Sequence, residues 1–220
     1  MKIEFNLLEN AIDSIERGIE LVAWGDGQPE PRRLKQAIQS VAHGIELLLK
    51  ERLKRVHPSL IWENVDKYPS LNARTVTAEQ AMGRLANIGG LSFEPQDAEL
   101  LRSLRATRNA IEHYAWTTTK QEAEAIVGRA LAFAFHFAET ELGKHFTGYA
   151  VRRDGTIPAL LAANEELAEA LARRAFSPSI SAEVQPGVCP ECRARAVDPV
   201  TNACRLCGHW GHQVEDDIPF

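Results

Sequence analysis

The sequence predicts an all-α protein: a helical bundle with a small metal-bound module near its C-terminal end. Three observations lead there. Apolar residues recur at three- and four-residue intervals through most of the first 175 positions, the period of an amphipathic helix. Capping signatures, glycines and prolines punctuate those stretches where helices start and stop. All four cysteines fall within the last 32 residues, in two Cys-x-x-Cys pairs.

The first helix is predicted over residues 3–23, with Leu8, Ile12, Ile15, Ile19 and Val22 on one stripe. The glycines and prolines of 24–31 break it. A second helix, about 32–56, carries Leu34, Ile38, Val41, Ile45, Leu48, Leu49 and Leu53. Pro58 ends it, because the residue before a proline resists helical geometry. Residues 57–74 read as a long irregular loop anchored by Trp62 and Tyr68. Thr77 and Gln80 form a capping box that opens a short helix, stopped at Gly89 and Gly90. Pro95 suits the first position of the next helix, roughly 95–115. Thr119 and Glu122 form a second capping box, opening a helix to about Leu142.

Inside that last helix, residues 131–138 (LAFAFHFA) alternate like a strand. The flanks are strong helix formers, so helix is the expectation. Apolar on two sides, it belongs in a core or between subunits. One further helix is expected over 157–175. The division that follows is 1–150 for the main helical domain, 151–175 for an additional C-terminal helix, 176–187 for a Ser/Pro linker, and 188–220 for a zinc ribbon.

Composition narrows the function classes. Hydrophobic residues make up 45% and charged residues 25%, as in a globular chain rather than a disordered one. The formal net charge is −5, which excludes a uniformly basic nucleic-acid binder and leaves local basic patches. The N-terminal residues do not read as a secretory signal, and no apolar run reaches membrane-spanning length. A cytoplasmic protein without membrane contact is expected, where thiols stay reduced and paired Cys-x-x-Cys motifs point to metal.

The pairs are Cys189/Cys192 and Cys204/Cys207, separated by eleven residues. Each pair can form a turn that offers two thiolates to one tetrahedral ion, and four thiolates close a structural Zn²⁺ site. Gly208 stands where such a turn often needs a positive φ. His209 and His212 are alternative ligands. Arg193, Arg195 and Arg205 are candidate RNA contacts, opposed by Glu215, Asp216 and Asp217; a protein-docking role fits equally.

A second constellation lies on the helix at 101–116. Arg102, Arg105 and Arg108 recur every third residue as a basic ridge. Asn109 and His113 are four apart on one face, and Arg108 lies about 100° from Asn109 around the axis. Arginine, asparagine and histidine can so converge on one anion. A histidine can take the proton from a 2′-hydroxyl or give one to a leaving oxygen, and a guanidinium can hold the phosphate. The plainer reading pairs Arg108 with Glu112 on a solvated face. His43 and Glu46, one turn apart on the second helix, are candidate supporting residues with Arg105, although Glu46 can also pair locally with Lys50.

The segment Arg108-Asn-Ala-Ile-Glu-His113 resembles the Arg-x4–6-His motif of HEPN domains (higher eukaryotes and prokaryotes nucleotide-binding). The stretch His43 to Lys50 is similar to the GIELLLK-type helix of some bacterial HEPN-like proteins. The resemblance spans roughly residues 1–150. It implies a helical bundle that pairs as a homodimer, and a metal-independent endoribonuclease of toxin–antitoxin or anti-phage defence systems. Arg108 would then bind phosphate, His113 would serve as acid or base, and Asn109 would assist. RNA would be the substrate, and an antitoxin or defence complex a partner. Some toxin members carry a tyrosine two residues after the histidine; here that position is Ala115, with Tyr114 beside the histidine instead. A non-catalytic HEPN adaptor that binds nucleotide or RNA is the alternative expectation, and an unrelated helical scaffold with a zinc knuckle is the third.

Overall fold

A computed structural model describes residues 3–23, 30–144, 156–176, 186–207 and 209. Most of the bend at 24–31, most of the linker at 176–187, Gly208 and His212 lie outside them. Among the described residues the chain is mostly helical, with seven α-helices and one two-stranded antiparallel ribbon.

Helix α1 (Leu7–Ala23) begins at Asn6, later than its apolar period suggests. The Asn6 and Glu9 side chains accept from each other's backbone N–H groups, both at 2.9 Å, a reciprocal cap. Its buried stripe of Ala11, Ile15, Ile19 and Val22 lies on α2 (Pro31–Val56). Two glycines allow the close approach. A Cβ on Gly44 would sit 2.6 Å from Ile15 Cδ1, and one on Gly18 would overlap the Val41 side chain. Arg33 closes the far end of α1 by donating to the carbonyls of Glu20 and Leu21.

Helix α2 is the central element. Its neighbours are α1, α3 (Ala78–Asn87), α4 (Pro95–His113) and α5 (Lys120–Leu142). Surrounded in this way, it buries Ile38, Ile45, Leu48, Leu49 and Leu53 completely, along with most of Lys50 and Glu51. Each fully buried leucine or isoleucine contributes about 1.5–3 kcal/mol of transfer free energy.

The loop after α2 is ordered by specific bonds. It holds two 3-10 turns, Pro58–Ile61 and Val65–Lys67. Trp62 is buried, donates from its indole to Ser70 O at 2.8 Å and meets Tyr68 edge-on. Arg84 of α3 donates to the carbonyls of Leu60, Trp62 and Glu63. Both expected capping boxes, at Thr77 and Thr119, are formed. α5 ends at Gly143, whose φ of 67° favours glycine.

The segment 131–138 is helical. Phe133, Phe135 and Phe137 are all buried within a single chain, so this helix needs no second copy to cover it. The helix expected over 157–175 is two: α6 (Thr156–Ala163) and α7 (Glu165–Phe176). Asn164 divides them. Its buried side chain accepts from Leu167 N and donates to the carbonyl of Glu124 on α5. It therefore caps α7 instead of continuing α6. Gly128 of α5 makes room, since a Cβ there would lie 2.4 Å from Asn164 Oδ1.

The ribbon consists of β1 (Gly187–Val188) and β2 (Arg195–Val197), paired antiparallel. β2 lies against α7. Among the described residues no helix is long and apolar enough to cross a membrane.

Candidate functional site

The cysteine module is built on two turns. In the first, Arg193 N donates to Cys189 O at 2.9 Å, and Cys189 N donates to Ala194 O at the same distance. Arg193 closes this turn at a φ of 60°, where a glycine would be unstrained. In the second, Cys204 bridges Val197 beside the ribbon and donates its N–H to His209 O.

Between them Asp198 folds the connection. Its Oδ1 accepts from the N–H groups of Val200 and Thr201, and its Oδ2 accepts from Arg205 Nε at 2.9 Å and Nη2 at 2.5 Å. The Arg205 guanidinium, together with those backbone donors, holds the Asp198 carboxyl below the usual carboxylate range. Arg205 is thus occupied within the module, while Arg193 and Arg195 are exposed.

All four sulfurs converge. The cysteines are free and buried, and their Sγ atoms lie within 4.8 Å of one another. Cys189 and Cys207 are 3.6 Å apart, and Cys192 and Cys204 3.7 Å. A tetrahedral ion with metal–sulfur bonds of about 2.3 Å requires sulfur–sulfur edges of roughly 3.8 Å. A disulfide would require about 2.05 Å.

Backbone donors also serve the sulfurs. Ala194 N–H approaches Cys192, Leu206 and Cys207 N–H approach Cys204, and His209 N–H approaches Cys207. Hydrogen bonds from the Cys192 and Cys207 thiols push Cys204 down, and the same bond to Cys204 pushes Cys192 up. These residues can hold a metal ion; His209 contributes only backbone groups to the cluster.

The second candidate lies where α4 crosses α2. A cavity of about 260 Å³ is lined by Glu46, Thr77, Arg105, Arg108, Asn109 and Glu112 among others. Arg108 donates from Nε to Glu112 Oε1 at 2.7 Å and reaches Glu46 Oε2 with Nη1 at 3.5 Å. The other Glu46 oxygen accepts from Lys50 Nζ at 2.6 Å, and Lys50 also donates to Thr75 Oγ1.

The three-residue ridge is therefore engaged at every step. Arg102 bonds its own helix at Ala98 O, Arg105 pairs with Glu79 at 2.6 Å, and Arg108 holds two carboxylates. His113, at the last position of α4, has 66% of its side chain exposed. Its Nε2 is 3.9 Å from Glu112 Oε2. It stands at the rim rather than in the cavity wall, with its ring edge toward Tyr114.

His43 is on the exposed side of α2 and does not line the cavity. Crowding by neighbouring atoms, then the Arg108 charge, lower its pKa. The structure therefore brings together Arg108, Asn109, Arg105 and Glu46, with His113 one carboxylate away. Glu112 is the bridge. Its i,i+4 spacing from Arg108 was legible, but its contact with both ends of the motif was not. The partners Glu79 and Thr75 come from other elements and carry no local signal. A larger cavity, about 630 Å³, lies between α7 and the ribbon and is lined mainly by alanines and mixed charges.

Neither a family model, nor a curated protein, nor a solved structure matches the chain.

Proposed function

We propose that the chain is a metal-independent endoribonuclease of the HEPN kind, with a ribbon held by structural Zn²⁺. The observation that supports it is the arrangement Arg108–Glu112–His113, a phosphate-binding group and a proton carrier joined by one carboxylate at the mouth of a polar cleft.

In the reaction the RNA 2′-oxygen attacks the adjacent phosphorus while the bond to the 5′-oxygen breaks. His113 takes the 2′-hydroxyl proton or protonates the leaving 5′-oxygen, according to which side of the phosphate it meets, and solvent water carries the other proton. Arg108 turns from Glu112 to the phosphate and stabilises its growing charge, and Asn109 orients it. The products are a 2′,3′-cyclic phosphate and a 5′-hydroxyl. Glu112, released from Arg108, keeps its place beside His113.

The zinc cross-links two turns that lack an apolar core of their own and leaves Arg193 and Arg195 outward for RNA or a partner protein. A second copy, an antitoxin and a defence complex are partners that the family resemblance suggests.

The test is end-group analysis of RNA incubated with the full chain, with no added divalent ions. Cyclic-phosphate ends that vanish in His113→Ala and fall at least about a hundredfold in Arg108→Ala are expected. Equal cutting by His113→Ala would remove the assignment.

A second reading has its own support. In the single chain both directions of the Arg108 guanidinium are taken by Glu46 and Glu112, so the cleft is close to charge-balanced. A non-catalytic adaptor that binds nucleotide or RNA fits that balance. It predicts binding without new RNA ends.

A further inference from the structure

Beyond the end of α4 lies another cavity, of about 390 Å³, between the first turn of α2 and the segment that opens α5. Arg32, Leu34, Lys35, Trp116, Thr118 and Lys120 contribute to its wall. Trp116 is half-buried against the core, and Leu34 is buried beneath the site.

The charges are unevenly committed. Arg33 is spent on the carbonyls of α1, and Lys120 pairs with Glu124 at 3.7 Å. Arg32 and Lys35 are exposed, and among the described residues neither has a hydrogen-bond or ion-pair partner. The nearby acid, Glu122, is tied into the α5 cap by Thr119 N, Thr118 Oγ1 and Thr119 Oγ1. Two uncommitted cations and an aromatic wall are what a nucleic-acid strand requires: charge for its phosphates, a flat apolar face for a base.

The cavity lies farther along α2 from the polar cleft. Helix α4 runs antiparallel to α2, since Arg108 meets Glu46 while Trp116, beyond its end, shares a cavity with Leu34. His113 is three residues before Trp116. Along α2, Lys35 precedes His43 by eight residues, about 12 Å.

We propose that this cavity is a subsite for single-stranded RNA, with Trp116 as the surface on which a base stacks and Arg32 and Lys35 as phosphate contacts. A strand held at Arg108 and His113 continues across it; that course rests on the nuclease reading. Stacking needs an unpaired base, so duplex RNA is excluded from the role.

The test is fluorescence anisotropy of a short labelled oligouridylate with 2′-O-methyl riboses, which binds but cannot be cut, titrated with the full chain at several salt concentrations. Arg32→Ala combined with Lys35→Ala, both at exposed positions, should weaken binding about tenfold. It should also flatten the dependence of log K on log salt by about 1.4, the share of two phosphates on a single strand. Trp116→Ala should cost about tenfold and Trp116→Phe no more than about twofold. Far-UV circular dichroism checks that all three variants fold.

Wild-type affinity and salt slope in the double variant would overturn the subsite. So would failure of the wild type to bind, or equal competition by duplex RNA or by a polyglutamate peptide. Cleavage of unmodified RNA, measured in parallel, separates this proposal from the nuclease reading. Cutting with unchanged KM in the double variant removes the subsite alone. Binding through Arg32 and Lys35 with no cutting removes the nuclease alone.

Discussion

The bundle and the ribbon solve the same problem with different means. Helices α1 to α5 bury leucine, isoleucine, valine and phenylalanine on several facing surfaces, so no single contact decides whether they fold. The ribbon has strands of two and three residues, and besides its sulfurs it buries little more than Ala194, Ala196 and Leu206. Apolar burial is distributed and tolerant, whereas a four-ligand centre concentrates stability in a few atoms. On the proposed zinc reading, the chain can lose its metal and keep its bundle.

The sharpest way to break that contrast is to remove one ligand. With the proposed zinc as its ion, the wild type should carry one zinc by elemental analysis, and Cys204→Ser should abolish it and remove a share of the roughly 10–16 kcal/mol that metal contributes to such modules. The helical signal in far-UV circular dichroism should persist. A collapse of helicity would mean that the two regions fold as one.

The reverse experiment acts on the bundle. Leu48→Ala, at a completely buried position of α2, should cost about 2–5 kcal/mol in chemical denaturation while zinc stays bound. Gly128→Ala should cost about 1–3 kcal/mol, because its Cβ would drive Asn164 from the cap of α7.

A smaller effect, of opposite sign, is expected in the ribbon. Arg193→Gly relieves a left-handed φ of 60° and should stabilise the first turn by about 1 kcal/mol, read as slower zinc transfer to a chelator.

The smallest effect concerns pH. His43 has a folded pKa below its unfolded value of about 6.5, so the unfolded chain binds more protons between the two. Stability is then full above about 6.5 and declines as pH falls toward the folded pKa. Nuclear magnetic resonance titration should place the His43 midpoint below about 6.5, and Arg108→Met should raise it. A midpoint unmoved by that substitution would show that Arg108 and His43 do not sense each other.

The same contrast explains what was legible in the sequence. Helical periods and capping boxes are local, so α2, α3 and α5 could be read with nearly their observed ends. The cysteine set was equally open, since ligand spacing is itself a local geometric demand. The break at Asn164 was hidden by a run of good helix formers on both sides, although an asparagine followed by Glu165 and Glu166 is a cap signal. The cap of α1 by Asn6 and Glu9 was present in the same form. What could not be read was the company of Arg108. Glu46 is 62 positions away, and only the crossing of α4 over α2 makes them neighbours.

The loop after α2 supplies no reactive group, yet the arginine's posture is answerable to it. Arg84 fastens the loop by three carbonyls, the loop presents Thr75 to Lys50, Lys50 steers Glu46, and Glu46 faces Arg108. A disturbance at Trp62 would therefore arrive at the guanidinium as a change of aim rather than as a loss of charge.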